Sequence, residues 1–497
     1  MIELDGENLA LEDAARVVFA KEPVRMGERA RAQVARSAAR VEEIVTAGVP
    51  VYGINTGFGA LSTESIPGDH LRELQRNIIL SHSVGVGDPL PEPAVRAMIL
   101  FRINSFLKGA SGIRPEPIEY LIDLLNAGIH PVVPAQGSVG SSGDLAPLAH
   151  LAAVLIGEGE ATSDGSRFSG REALRRIGRR PLELGPKEGL ALLNGTQYMT
   201  GVGFLVHHQG TRLLNAAVGA AALSLEGLRG FSAPFDPRLH AARPHPGQVR
   251  IAGLIRELTA GSALLDSTDG DVQDAYSLRC IPQVLGPAWE ALQYLRSKLE
   301  IEINSATDNP LLFPDGVVLS GGNFHGEVIG LGLETATLAL AEVGSISERR
   351  TDRLLNSPDR GLPQFLVRER GINSGFMLAQ YTAAALVSEN KVLCHPALAD
   401  SIPTSGGKED HNSMAAIAAH KGLRICENLS RIVAIELLCA AQALDFQGVE
   451  KAGEGTRALH ARIRERFPHF DSDRPLAPGI ERLSAAIMKG EITDGII

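Results

Sequence analysis

Apolar positions recur at helical spacing through most of the chain, and period-two alternation is short and sparse. Residues 26–47 set Ala and Val against Arg and Glu in that rhythm. Segments 70–82, 92–108 and 115–127 predict further helices, with Pro91 and Pro115 near their starts, where a missing N–H costs little. A glycine-rich stretch at 137–143 precedes DLAPLAHLAAVLIGEG, which predicts a helix opening at Asp144, a good N-terminal residue. Later patterns lengthen: 196–229, 280–304, 325–356, 375–394 and 411–445. Several are two to three times the usual helix of about 11–12 residues, which favours a long bundle over globin-like packing. Weaker segments at 455–467 and 476–489 close the chain. The expectation is an all-α fold in two domains: a site-building one over 1–200 and a long-helix bundle over 201–497.

Composition narrows this. The 497 residues exceed what one core sustains, and aromatics make up only 4% while Ala, Leu and Gly abound, which suits closely packed helices. A net charge of -10 gives no basic footprint for nucleic acid. The opening MIELDGENLALEDAARVV is acidic where a signal peptide is basic, and no run of about twenty apolar residues occurs. A cytoplasmic protein with no membrane partner is expected. Cys280, Cys394, Cys426 and Cys439 lie far apart without ligand spacing and read as reduced thiols; no HExxH-like cluster calls for a metal.

The chemistry concentrates in QGSVGSSGDLAPLAH, residues 136–150. Glycines and serines before a helix suit an anion. Yet the Gly-Lys-Ser/Thr ending of a phosphate loop, the dinucleotide fingerprint and the GxSxG elbow are all missing. The segment instead resembles the signature of the histidine and aromatic amino acid ammonia-lyases, in which an Ala-Ser-Gly triplet cyclises to methylidene-imidazolone (MIO). In that reading the amide nitrogen of Gly143 attacks the carbonyl of Ser141, an approach that glycine permits. Ser142 loses its hydroxyl to leave a methylidene, and two waters depart. A helix opening at Asp144 directs partial positive charge at the ring. Here the triplet begins with Ser141 where alanine is commonest; its side chain takes no part in closure.

The resemblance covers nearly the whole chain, in order: YGINTGFGALS (52–62), LQRNIILSHSVGVG (74–87), KEGLALLNGTQ (187–197), VQDAYSLRCIPQV (272–284), TDNP (307–310), SGGNFHGE (320–327), INSGFMLAQYTAAALVSENK (372–391) and PTSGGKEDHNSM (403–414). It implies a fumarase/aspartase-like fold, a homotetramer with active sites shared between copies, a small amino acid substrate, and no metal or nucleotide. Tyr52, in isolation a packed loop aromatic, becomes the base that removes a β-proton. That role requires neighbours that bring its pKa well below about 10. Asn194, otherwise a cap for the following helix, becomes a partner of MIO or of the substrate carboxylate. Gln273, Tyr276 and Arg279, spaced by three, line one face if helical. The resemblance makes Arg279 the carboxylate fork, supported by Tyr276 and Gln273. Phe324, by itself core, becomes a wall beside the ring.

Two positions bear on the substrate. Ser81-His82 matches the histidine enzymes, where phenylalanine enzymes resemble Phe-Leu. Glu409 stands where those carry glutamine. A carboxylate accepts an imidazole N–H, whereas a phenyl ring offers nothing against the desolvation of a glutamate. Histidine is therefore the expected substrate, with Met377 lining the same pocket. Gly407-Lys408, where the family usually shows Asn-Gln, opens the possibility of a Lys408–Glu409 pair or another substrate group. Asp271 stands where a basic residue is common. Two alternatives remain: an aminomutase that re-adds ammonia at the β-carbon, and a non-catalytic scaffold.

Overall fold

The computed structural model describes residues 1–495 except 49, 62, 63, 65 and 269–271. The periodic segments become helices with ends close to those expected, among them Glu28–Ala47, Leu71–His82, Glu92–Leu107, Pro115–Asn126 and Leu145–Leu155. The long patterns become Gln197–Gly227, Ile281–Glu302, Glu327–Leu355, Met377–Leu393 and Ala415–Gln447. The mainly helical architecture is as expected. Among the described residues, strands form only small two- and three-stranded sheets, such as the antiparallel pair Val86–Pro89 with Pro134–Gln136.

The chain forms two compact units. The first comprises Met1–Leu205, Leu295–Glu334 and Pro396–His420; the second comprises Val206–Tyr294, Thr335–His395 and Lys421–Ile497. In the first, Leu71–His82 packs on both Leu145–Leu155 and Glu188–Leu193. Three helix ends carrying site residues thereby converge. Glu92–Leu107 is buried from Ala94 to Leu107, so its two arginines must find partners inside. Arg96 donates to the carbonyls of Val17 at 2.6 Å and Leu125 at 3.1 Å, in the last turns of two other helices. A cation at those C-terminal carbonyls opposes the negative end of each helix dipole.

In the second unit, Glu436 binds Arg350 through two contacts of 2.5 and 2.8 Å and accepts hydroxyls from Ser224 and Ser347. Both charges are wholly buried. Glu436→Ala therefore leaves an unpaired guanidinium in the core, and a loss of about 3–5 kcal/mol in denaturant titration is the expected result. Among the described residues one helix, Glu327–Leu355, is long and apolar enough to cross a membrane, although the sequence shows no unbroken apolar run; 67% of its apolar window is buried within the protein.

Candidate active site

Backbone crowding defines the triplet. Gly143 has φ +74°, a left-handed conformation that favours glycine, and Ser141 and Gly143 form a bridge across Ser142. Gly143 also pairs with Gly195; a Cβ on Gly143 would lie 2.1 Å from the Gly195 oxygen. The Asp144 N–H closes the contact, donating to that oxygen at 2.7 Å. On the far side, a Cβ on Gly195 would meet the Arg102 guanidinium at 2.3 Å. The turn of Ser141–Gly143 is thus pressed against a segment with a fully buried arginine behind it.

Arg102 donates to the carbonyls of Ala191 and Asn194 and to Gln197 Oε1 at 2.6 Å, capping the end of Glu188–Leu193. Burial lowers its pKa to about 10, partly offset by Asp308. Sequence reasoning passed over this residue, although a charge in the middle of an apolar helical run was a visible signal. Asp144 stands at the N-cap of Leu145–Leu155, where a helix was expected to open. The Asp144 side chain makes no cap bond to its own helix. It accepts instead from Met199 N–H at 2.9 Å, at the start of the long helix, and from the Ser138 hydroxyl at 2.9 Å. Burial raises that carboxyl to about 7 despite these donors. Asn194 stands at the C-cap of Glu188–Leu193; its Nδ2 donates to the Ser142 carbonyl at 2.9 Å, and its buried Oδ1 has no hydrogen-bond partner among the described residues.

Tyr52, His82, Ser142 and Glu409 line one cleft of about 730 Å³, walled by Phe58, Leu74 and Leu190. Ser141 and Gly143 line an adjoining hollow, of about 240 Å³, with His82 and Glu409. The carboxylate of Glu409 is held by hydroxyls rather than by Lys408. Ser141 and Thr404 donate to Oε2, the latter at 2.9 Å, and Ser142 approaches Oε1 at 3.4 Å. His82 ends its helix with Nδ1 3.0 Å from Ser81 Oγ. Burial lowers its pKa against the opposing pull of the Ile78 carbonyl and the Glu409 charge, so the neutral ring is favoured at neutral pH.

Tyr52 differs from expectation. Burial raises its phenol above the ordinary value and the Glu409 charge adds to this; only the Gly59 N–H, 3.4 Å from the oxygen, acts in the other direction. The cation that a phenolate requires is not among the groups acting on it.

Other expected site residues lie elsewhere. Phe324 is half-buried in the first unit, just before the Glu327–Leu355 helix, and is not part of the cleft lining. Met377 begins Met377–Leu393 in the second unit and is likewise absent from that lining. Gln273, Tyr276 and Arg279 belong to the second unit and line a hollow of about 560 Å³ there. The Arg279 guanidinium sits 4.6 Å over the Tyr276 ring and donates to Gln273, leaving its buried Nε without a partner. Asp271 lies outside the described residues.

This helical frame, with a glycine-pinned serine turn at a cleft, matches known proteins over its full length. The aromatic amino acid lyase family model matches residues 9–465, and the chain belongs to that family. A relative named histidine ammonia-lyase, from Gloeobacter violaceus, is 48% identical, covering 99% of this chain and 97% of its own. A histidine ammonia-lyase structure from Trypanosoma cruzi superposes with a TM-score of 0.92 at 40% identity, covering 100% of this chain and 94% of that one. A tyrosine aminomutase from Streptomyces globisporus superposes at 0.96 with 38% identity, covering 100% and 98%.

Proposed function

We propose that this protein is a carbon–nitrogen lyase that eliminates ammonia from L-histidine to give trans-urocanate, using MIO built from Ser141-Ser142-Gly143. The observation that carries the reading is the meeting of that crowded triplet, its Ser142 carbonyl held by Asn194, with His82 and Glu409 at the cleft and its adjoining hollow. The residues suit the group. Gly143 takes a left-handed turn without a Cβ, Asn194 Nδ2 already addresses the Ser142 carbonyl, and Asn194 Oδ1 is left over for a further donor. Once formed, MIO supplies an electrophilic methylidene at the Ser142 position.

The chain's own residues do the rest. Asn194 Nδ2 stands ready to stabilise negative charge on the Ser142 carbonyl oxygen. Glu409 accepts the imidazole N–H of the substrate, and neutral His82 offers a second ring partner on the same cleft. Tyr52 takes the β-proton once a cation counters its raised pKa. We assign that cation to an arginine fork of the Arg279 kind from another copy in a cytoplasmic homotetramer, where Arg279 holds the substrate carboxylate, Tyr276 and Gln273 support it, and Phe324 and Met377 close the pocket. Arg279 lines the hollow of the second unit beside Tyr276 and Gln273. Leu378, Tyr381 and Val392 lie exposed along one face of Met377–Leu393, as expected of a helix that another copy covers.

Incubation with histidine, phenylalanine and tyrosine, followed by absorbance of the conjugated acid, tests the assignment. Urocanate from histidine with little product from the others is expected; preference for an aromatic ring without nitrogen contradicts it. A second reading, an aminomutase, is favoured by the likeness to the tyrosine aminomutase. Mass spectrometry for a β-amino acid product separates the two. Gly143→Ala places a methyl against the Gly195 oxygen. It should leave the chain at its full sequence mass and inactive; a chain two waters lighter would show that the crowding is not what selects glycine.

A further inference from the structure

We propose that Ser141 and Thr404 form a positioning pair that aims Glu409, with Ser141 setting the preference of the cleft for a ring that bears an N–H. The inference rests on the reading above, in which the triplet closes and Glu409 meets the substrate ring.

Both hydroxyls load the same carboxylate oxygen. Ser141, 8% exposed, donates to Glu409 Oε2, and Thr404 donates to it at 2.9 Å. Thr404 is itself oriented: Asn412 Nδ2 donates to Thr404 Oγ1 at 3.3 Å while holding the Ile402 carbonyl at 2.7 Å. The threonine proton is thereby directed at the carboxylate. Gly406 and Gly407, at φ +62° and +83°, make the tight turn that returns Glu409 to Thr404. The Thr404 N–H donates to the Glu409 carbonyl at 2.9 Å and seals it.

Oε1 is treated differently. Its hydroxyl neighbour is Ser142, at 3.4 Å. Ring closure takes away the Ser142 hydroxyl as water, whereas Ser141 gives up only its carbonyl oxygen and keeps its side chain. The mature site therefore has one carboxylate oxygen carrying two hydroxyl donors and one left open on the cleft shared with His82 and Tyr52. Hydrogen bonds to a charged acceptor are about twice as strong as neutral ones, so the two donors fix both the rotamer and the charged state. A carboxylate held this way presents a single acceptor to a single N–H. With alanine at 141, Oε2 keeps one donor, and the group can turn its second oxygen toward water.

The test compares wild type, Ser141→Ala, Thr404→Val and the double variant as assembled enzymes. Each is weighed intact and titrated calorimetrically with 3-(imidazol-4-yl)propanoate and 3-phenylpropanoate. Ser141→Ala should still be two waters lighter than its sequence. It should bind the imidazole acid roughly three- to tenfold more weakly and the phenyl acid unchanged, the scale of one lost hydrogen bond. The double variant should lose more than either single change, and Ser141→Thr, which keeps a hydroxyl, should recover most of the preference. Equal effects on both acids, or none, overturn the proposal, as does a Ser141→Ala chain at full mass, which would make Ser141 a maturation residue. A wild-type protein that is unmodified, or that does not favour the imidazole acid, defeats instead the reading on which this rests.

Discussion

Ser142→Ala is expected to give a folded protein with normal helical circular dichroism, full sequence mass and no measurable turnover. The expectation follows from position as much as from chemistry. Ser142 lines the cleft, its carbonyl is held by Asn194, and its hydroxyl faces Glu409. Removing the hydroxyl removes the source of the methylidene and disturbs little else, since the flanking contacts of Gly143 with Gly195 and of Asp144 with Met199 are made by other groups. Enzymatic accelerations commonly exceed about 10⁶-fold, so loss of the only electrophile should cost at least roughly 10⁴-fold. Turnover within tenfold of wild type would mean that the triplet is not the reacting centre.

The second large effect is expected at Glu409. Glu409→Gln keeps the shape and most of the contacts but replaces a charged acceptor by a neutral amide with two donors. The hydroxyls of Ser141 and Thr404 then point at a group that accepts less strongly. With histidine, kcat/KM should fall about 100-fold, the scale of a lost charge-assisted hydrogen bond to the substrate. Any turnover of phenylalanine should be unchanged or improved, because a glutamine is less costly to desolvate beside a phenyl ring. The Tyr52 phenol, which the Glu409 charge pushes upward, should move back toward its ordinary value, so the rising, acid-side limb of the pH profile, where the base must lose its proton, should shift to lower pH. Parallel losses on both substrates would refute a ring contact.

How much of this was legible in the sequence depends on the range of the interaction. Helices were legible because each rests on local periodicity and local stops: the expected 70–82 and 115–127 became Leu71–His82 and Pro115–Asn126. The triplet was legible from its residue types, because a serine before a glycine is what the chemistry demands. Contacts between segments far apart in the chain were not. Nothing local marks Thr404 as the partner of Ser141, 263 positions away, or Arg102 as the support behind Gly195. Asp144 opens its helix as expected, but its carboxylate, which at a helix start ordinarily serves its own helix, is given by tertiary packing to another. The raised pKa of Tyr52 also depends on burial and on a charge brought close only by folding.

The central claim is the closure of a backbone nitrogen onto a carbonyl two residues earlier. Peptide-resolved mass spectrometry of the purified protein tests it most directly. The account predicts that the fragment spanning residues 141–143 weighs two waters less than its sequence; the same fragment at its full, unmodified mass would contradict it.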